Sequence, residues 1–154
     1  MKKKLLALTL GLAVTLTSSA AFAMTTQEAK NLADTFVPDD AKYYRLMNLK
    51  DEIEFYYYTN TNRYEVEFDT KREIVTGLSI EHLSPLYSPD VTVSKEEAIA
   101  IMKDRYPTAS LENISAYKEL SATIYEIDFM LDGARGEMHV LASDGTIIEI
   151  DIDY

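Results

Sequence analysis

The sequence predicts an α+β protein of two tandem units, each an N-terminal helix packed on a three- to four-stranded antiparallel sheet. Three observations predict it. The segment Met24-Thr25-Thr26-Gln27-Glu28-Ala29 returns 69 residues later as Val93-Ser94-Lys95-Glu96-Glu97-Ala98. Pro38 and Pro107 close the two segments at the same offset. Each copy is then followed by runs in which apolar and polar residues alternate. A repeat of this length sets the organisation of a chain before any single residue is weighed.

Residues 1–23 read as an export signal and stand outside the fold. Lys2, Lys3 and Lys4 form a basic start, Leu5 to Leu16 an apolar stretch, and Ala21-Phe22-Ala23 a small-residue cleavage site. That apolar stretch is shorter than the roughly 20 residues a spanning helix needs. Cleavage after Ala23 leaves 131 residues, released outside the cytoplasm as a periplasmic or secreted protein. The leader holds three lysines and no acid, so the formal net charge of −11 becomes −14 for residues 24–154. Such a charge repels nucleic acid and anionic membrane surfaces and suits a basic protein partner, cations or simply the solubility of a solvated acidic surface. The chain contains no cysteine, which excludes thiol catalysis, disulfides and cysteine-based metal sites.

The helices are signalled by their caps. In Thr25-x-x-Glu28 the hydroxyl can accept from a free N–H of the first turn while the glutamate reaches back. Ala29, Leu32, Ala33, Phe36 and Val37 follow on one face, and Pro38 stops the helix. Ser94-x-x-Glu97, the stripe Ala98, Ile101, Met102 and Tyr106, and then Pro107 repeat the design.

Strands follow each helix. Ile53, Phe55 and Tyr57 alternate with Glu54, Tyr56 and Tyr58. Asn60-Thr61-Asn62 turns the chain into Tyr64, Val66 and Phe68, and Asp69 to Glu73 turns it into Ile74 to Ile80. In the second copy Tyr125, Ile127, Phe129 and Leu131 alternate with Glu126 and Asp128. Asp132-Gly133 leads to Met138, Val140 and Ala142, and Ser143-Asp144-Gly145 to Ile148, Ile150, Ile152 and Tyr154. Glu149, Asp151 and Asp153 occupy the other side of that last run. Period-2 alternation of this kind predicts antiparallel strands with one buried and one wet face. Tyr43 to Leu49 and Ile114 to Leu120 are further strand candidates with broken alternation. The units span 24–84 and 92–154, with 85–91, which holds Pro85 and Pro89, as the linker.

This arrangement resembles the PepSY domain family, whose pattern is a helix opening on Ser/Thr-x-x-Glu-Ala, a hairpin, then a strand after a small Asp/Gly turn. Thr25 to Ala29 and Ser94 to Ala98 match the opening, and Glu126-Ile127-Asp128-Phe129 fits the hairpin. Ala142-Ser143-Asp144-Gly145-Thr146-Ile147-Ile148 is similar to the closing turn and strand. The first copy departs at Asp69-Thr70-Lys71-Arg72-Glu73, which lacks the glycine. The resemblance implies a non-enzymatic exported protein that binds another protein, as a protease inhibitor or a chaperone-like module. The alternative is a cation- or cell-wall-binding envelope or sensor component.

The chain offers no catalytic constellation. The patterns H-E-x-x-H and G-x-S-x-G and glycine-rich phosphate loops are absent. His82 and His139 read as surface histidines, so no catalytic residue, metal ligand or cofactor is expected. The candidate partner-binding residues are Tyr56 and Tyr58, opposite the apolar side of their strand, and the acidic row Glu149, Asp151 and Asp153. Tyrosine on a wet sheet face offers large contact area at small entropic cost. The partner expected is a protein, with an exported protease as the leading class.

Overall fold

The computed structural model describes residues 24–154; the expected export signal and its cleavage site lie outside the described residues, apart from Met24. Helix α1 spans Thr26–Ala33 and tightens into a 3-10 turn at Asp34–Phe36. Four strands follow: β1 Lys42–Leu49, β2 Glu52–Tyr58, β3 Asn62–Asp69 and β4 Ile74–His82. Helix α2 is Lys95–Arg105, and β5 Ser110–Glu119, β6 Ala122–Leu131, β7 Ala134–Leu141 and β8 Ile147–Asp153 complete the chain. Both capping boxes form as read from the sequence, with Thr25 accepting from the Glu28 N–H and Ser94 from the Glu97 N–H.

The expected fold class needs correction. The strands form a single eight-stranded antiparallel sheet, in the order β1-β2-β3-β4-β8-β7-β6-β5, with two short helices on it. There are not two helix-plus-sheet units. The join is β4 against β8, registered from Gly77 opposite Asp153 to Glu81 opposite Glu149. The physical reason is the exposed edge. A strand left at the rim of a small sheet presents unpaired N–H and C=O groups, and these two strands satisfy each other's. Alternation reports which face a residue takes and not which strand lies beside it, so this pairing had no local signal.

The core is likewise shared. Ala29, Ala33, Phe55 and Val66 belong to the same buried cluster as Ala98, Met102, Ile127 and Met138. Across the join, Phe36 meets Tyr154 edge to face with ring centroids 5.8 Å apart. Helix α1 packs on β3 and α2 on β6, so both helices cover the same face of the sheet.

The remaining edges, β1 and β5, are the least buried strands. Each carries an irregularity, between Tyr43 and Arg45 and between Leu111 and Asn113, and bulges of this kind blunt an edge against further pairing. Their exposure also explains their broken alternation. A third irregularity, between His139 and Val140 opposite β8, moves Ile148 off the face of Ile150 and Ile152. Ile148 packs instead with Ala122, Ile124 and Leu141 on the side away from the helices, against Tyr87 of the connecting segment and Tyr117.

Candidate functional site: the open acidic face

Because side chains alternate along a strand, burying Ile53, Phe55 and Tyr57 under α1 turns Glu52, Glu54, Tyr56 and Tyr58 to the opposite face. The same holds across the sheet, and its register arranges that face in three rows. The central row runs Arg45, Tyr56, Glu65, Ser79, Asp151, Glu137, Asp128 and Asn113 from β1 to β5. One flanking row contains Glu54, Glu67, Gly77, Asp153 and Arg135. The other contains Tyr58, Arg63, Glu81, Glu149, His139 and Glu126.

Acids stand directly opposite acids in these rows: Glu54 and Glu67, Glu81 and Glu149, Asp151 and Glu137, Glu137 and Asp128. Like charges in opposed positions destabilise a sheet. Few cations answer them. Arg63 pairs with Glu81, and Arg135 Nη2 lies 4.0 Å from Asp128 Oδ1. The cost is visible in the carboxyls themselves. Burial raises Glu65 and Glu67 above the ordinary glutamate range, and neighbouring acids add to it: Glu54 and Asp151 at Glu65, and Glu52, Glu65, Glu54 and Asp153 at Glu67. Glu67 lies over Gly77, where an added Cβ would come within 2.6 Å of Glu67 Oε2.

The predicted site residues all lie on this face, in two groups. Tyr56 and Tyr58 gather with Tyr44, whose ring centroid is 6.1 Å from Tyr56 and 5.6 Å from Tyr58. Glu149, Asp151 and Asp153 lie three strands away, about 14 Å across the sheet at the usual strand spacing. Tyr56 is tied into the carboxylates, with its hydroxyl 2.5 Å from Glu54 Oε2 and 3.1 Å from Glu65 Oε1. Burial first, and then these two acids, raises its pKa. Tyr43, adjacent in sequence, faces the helices and meets Tyr57 at 5.8 Å. Tyr44 and Tyr58 remain 49% and 41% exposed.

His139 lies on the wet face of its strand, as its position between Met138 and Val140 implies. His139 is not a freely exposed histidine: its side chain is 14% exposed and stands among Glu126, Glu137 and Glu149. Two of those acids come from neighbouring strands, so only the strand order could have revealed the cluster. A hollow lined by Asp51, Glu52, Asp69 and Arg72 lies at the turns, and its charges are already paired, Arg72 with Asp69 at 2.7 Å and Lys71 with Asp51 at 2.6 Å.

Among the described residues no helix is long and apolar enough to cross a membrane. No curated protein matches the sequence. Two solved structures show weak similarity. One is a protein of Clostridium difficile 630 described as a lipoprotein, 17% identical, with 87% of this chain and 96% of that chain covered and a TM-score of 0.38. The other is the YpeB C-terminal domain of Bacillus megaterium, 10% identical, covering 85% of this chain and 66% of that one, with a TM-score of 0.35. The family model "Peptidase propeptide and YPEB domain" matches residues 92–153 and so takes in the second copy of the repeat and not the first. That match to the PepSY family model covers α2 and β5 to β8.

Proposed function

We propose that this protein works outside the cytoplasm without catalysis, by docking the open face of its sheet on another protein and restraining an exported protease. A chaperone-like role uses the same surface. The observation that carries the reading is the set of directly opposed acids on a sheet face that no helix covers. A basic partner supplies the counter-charge that the chain itself lacks, and relieves repulsion built into the free protein. Tyr44, Tyr56 and Tyr58 add aromatic contact area at one end. The description of the matched family as a peptidase propeptide supports a protease as the partner class. Export is supported by the basic, apolar and small-residue order of residues 1–23.

The test is to titrate the protein into the exported proteases of its source while following binding and hydrolysis. Slowing of at least one of them is expected; failure to bind or slow any would remove the inhibitor reading. A second reading, an envelope or sensor component that binds cations or cell-wall polymer, draws support from the consecutive acids Asp151, Glu137 and Asp128. Calorimetry with calcium separates the two, since absence of heat and of a thermal shift removes it.

A further inference from the structure

His139 stands between carboxylates on both of its ring nitrogens. It lies on β7 with Glu126 opposite on β6, Glu149 opposite on β8, and Glu137 two residues back on the same face. Its Nδ1 is 3.0 Å from Glu149 Oε2, and its Nε2 is 2.7 Å from Glu137 Oε1 and 4.0 Å from Glu126 Oε2. Single donor atoms of Glu126, Glu137 and His139 all fall within 4.8 Å of one another. Tyr117 packs edge-on against the ring with centroids 5.7 Å apart, which fixes its plane.

We propose that His139, Glu126 and Glu137 form a binding site for a divalent transition-metal ion of the zinc class, with Glu149 as the outer carboxylate that orients the imidazole. A ring whose Nδ1–H is given to a carboxylate turns its Nε2 lone pair outward, and this is how metal-bound histidines are oriented. Here Nε2 faces two carboxylates, and the ion takes the place of the hydrogen that its 2.7 Å contact with Glu137 requires in the metal-free protein. Three protein donors of mixed nitrogen and oxygen type, with a fourth position open to water, suit zinc. Calcium takes six to eight oxygens and has no use for an imidazole. A tetrahedral ion about 2.0–2.2 Å from each donor separates the donors by about 3.4 Å. Glu137, with its side chain 44% exposed, can swing outward by the small distance required. The two ligand carboxylates have no lysine or arginine partner within ion-pair distance among the described residues, so the ion supplies charge the site lacks.

Titration calorimetry of the metal-free protein with zinc chloride, and separately with calcium chloride, tests this. One zinc ion per chain is expected, with affinity falling at least tenfold in His139→Ala and in Glu137→Gln, and unchanged in Glu67→Gln on the same face. No zinc heat, equal affinity in His139→Ala, or calcium binding without zinc binding would overturn the proposal. Should His139→Ala fail to fold, the nitrogen-15 shift of the wild-type His139 ring reads ligation directly, and an unmoved Nε2 on zinc addition overturns it equally. The result stands apart from protease binding, since either can succeed without the other.

Discussion

Phe36, in the turn that closes α1, meets Tyr154 at the end of β8 edge to face, with ring centroids 5.8 Å apart. The first helical segment thus packs against the last residue of the chain. The Tyr154 N–H also donates to the Thr76 carbonyl at 2.8 Å, extending the β4–β8 join by one bond. Burial first, then Tyr106 and Asp132, pushes the Tyr154 hydroxyl up to about 12.

A shared sheet and core require the halves to unfold together. Ile150 is 2% exposed and stands opposite Ile80 in the join. Ile150→Ala is expected to lower stability by about 2–5 kcal/mol. Hydrogen exchange should show α1 and α2 losing protection in the same transition. Loss confined to α2 would mean that the halves are separate.

The acidic face should trade stability for charge. The Glu67 carboxyl titrates above its ordinary value, so the folded state holds that proton more tightly than the unfolded chain does. Its ionisation therefore costs stability above the folded pKa, and the cost disappears below the unfolded value. Glu67→Gln is expected to stabilise the protein at neutral pH by less than about 1 kcal/mol, because the side chain is partly solvated. Urea denaturation should show that gain vanishing below the carboxylate range. Destabilisation at neutral pH would contradict the assignment.

The capping boxes carry the opposite sign. Backbone hydrogen bonding at Thr25 and Ser94 lowers the pKa of Glu28 and Glu97. Their contribution is present above the unfolded value and is lost as pH falls through the folded one. Thr25→Ala and Ser94→Ala should each cost about 1 kcal/mol at neutral pH. The loss should shrink in acid, as thermal melts across pH can show.

Gly136 sits against the Phe129 ring, where an added Cβ would clash with Phe129 Cζ. Phe129 is fully buried and stacks on Tyr106 at 5.5 Å, so it has little room to yield. Gly136→Ala should cost about 1–3 kcal/mol through overpacking. Calorimetric melting would detect it, and an unchanged midpoint would show that the ring moves freely.

The sequence was legible wherever the signal is local. Capping hydroxyls and glutamates lie three residues apart, and strand faces repeat every two, so both helices and the buried side of β2, β3, β6 and β7 could be read directly. Asp132-Gly133, with φ of 52° and 94°, forms the turn its residues suggest. What could not be read depends on strand order. Nothing near Leu78 or Ile80 names Ile152 or Ile150 as a neighbour, which is why two units were expected where one sheet exists. The shift of Ile148 to the other face comes from an irregularity that strict alternation does not foresee. The Glu126–His139–Glu149 alignment likewise exists only across three strands. Alternation puts Glu149, Asp151 and Asp153 on one side of their strand, but the rows they complete with Glu81, Glu137 and Asp128 depend on strand order.

If the open face is the contact surface, a charge reversal at its centre must weaken binding. Glu65 and Asp151 lie in the central row with Ser79 between them, on the face away from both helices. Inhibition of the captured exported protease should be compared for the unmodified protein and for Glu65→Lys/Asp151→Lys, at low and raised salt. At least a tenfold loss of affinity is expected in the variant, with salt-weakened binding of the unmodified protein through screening. Full, salt-independent inhibition by a folded variant would contradict it.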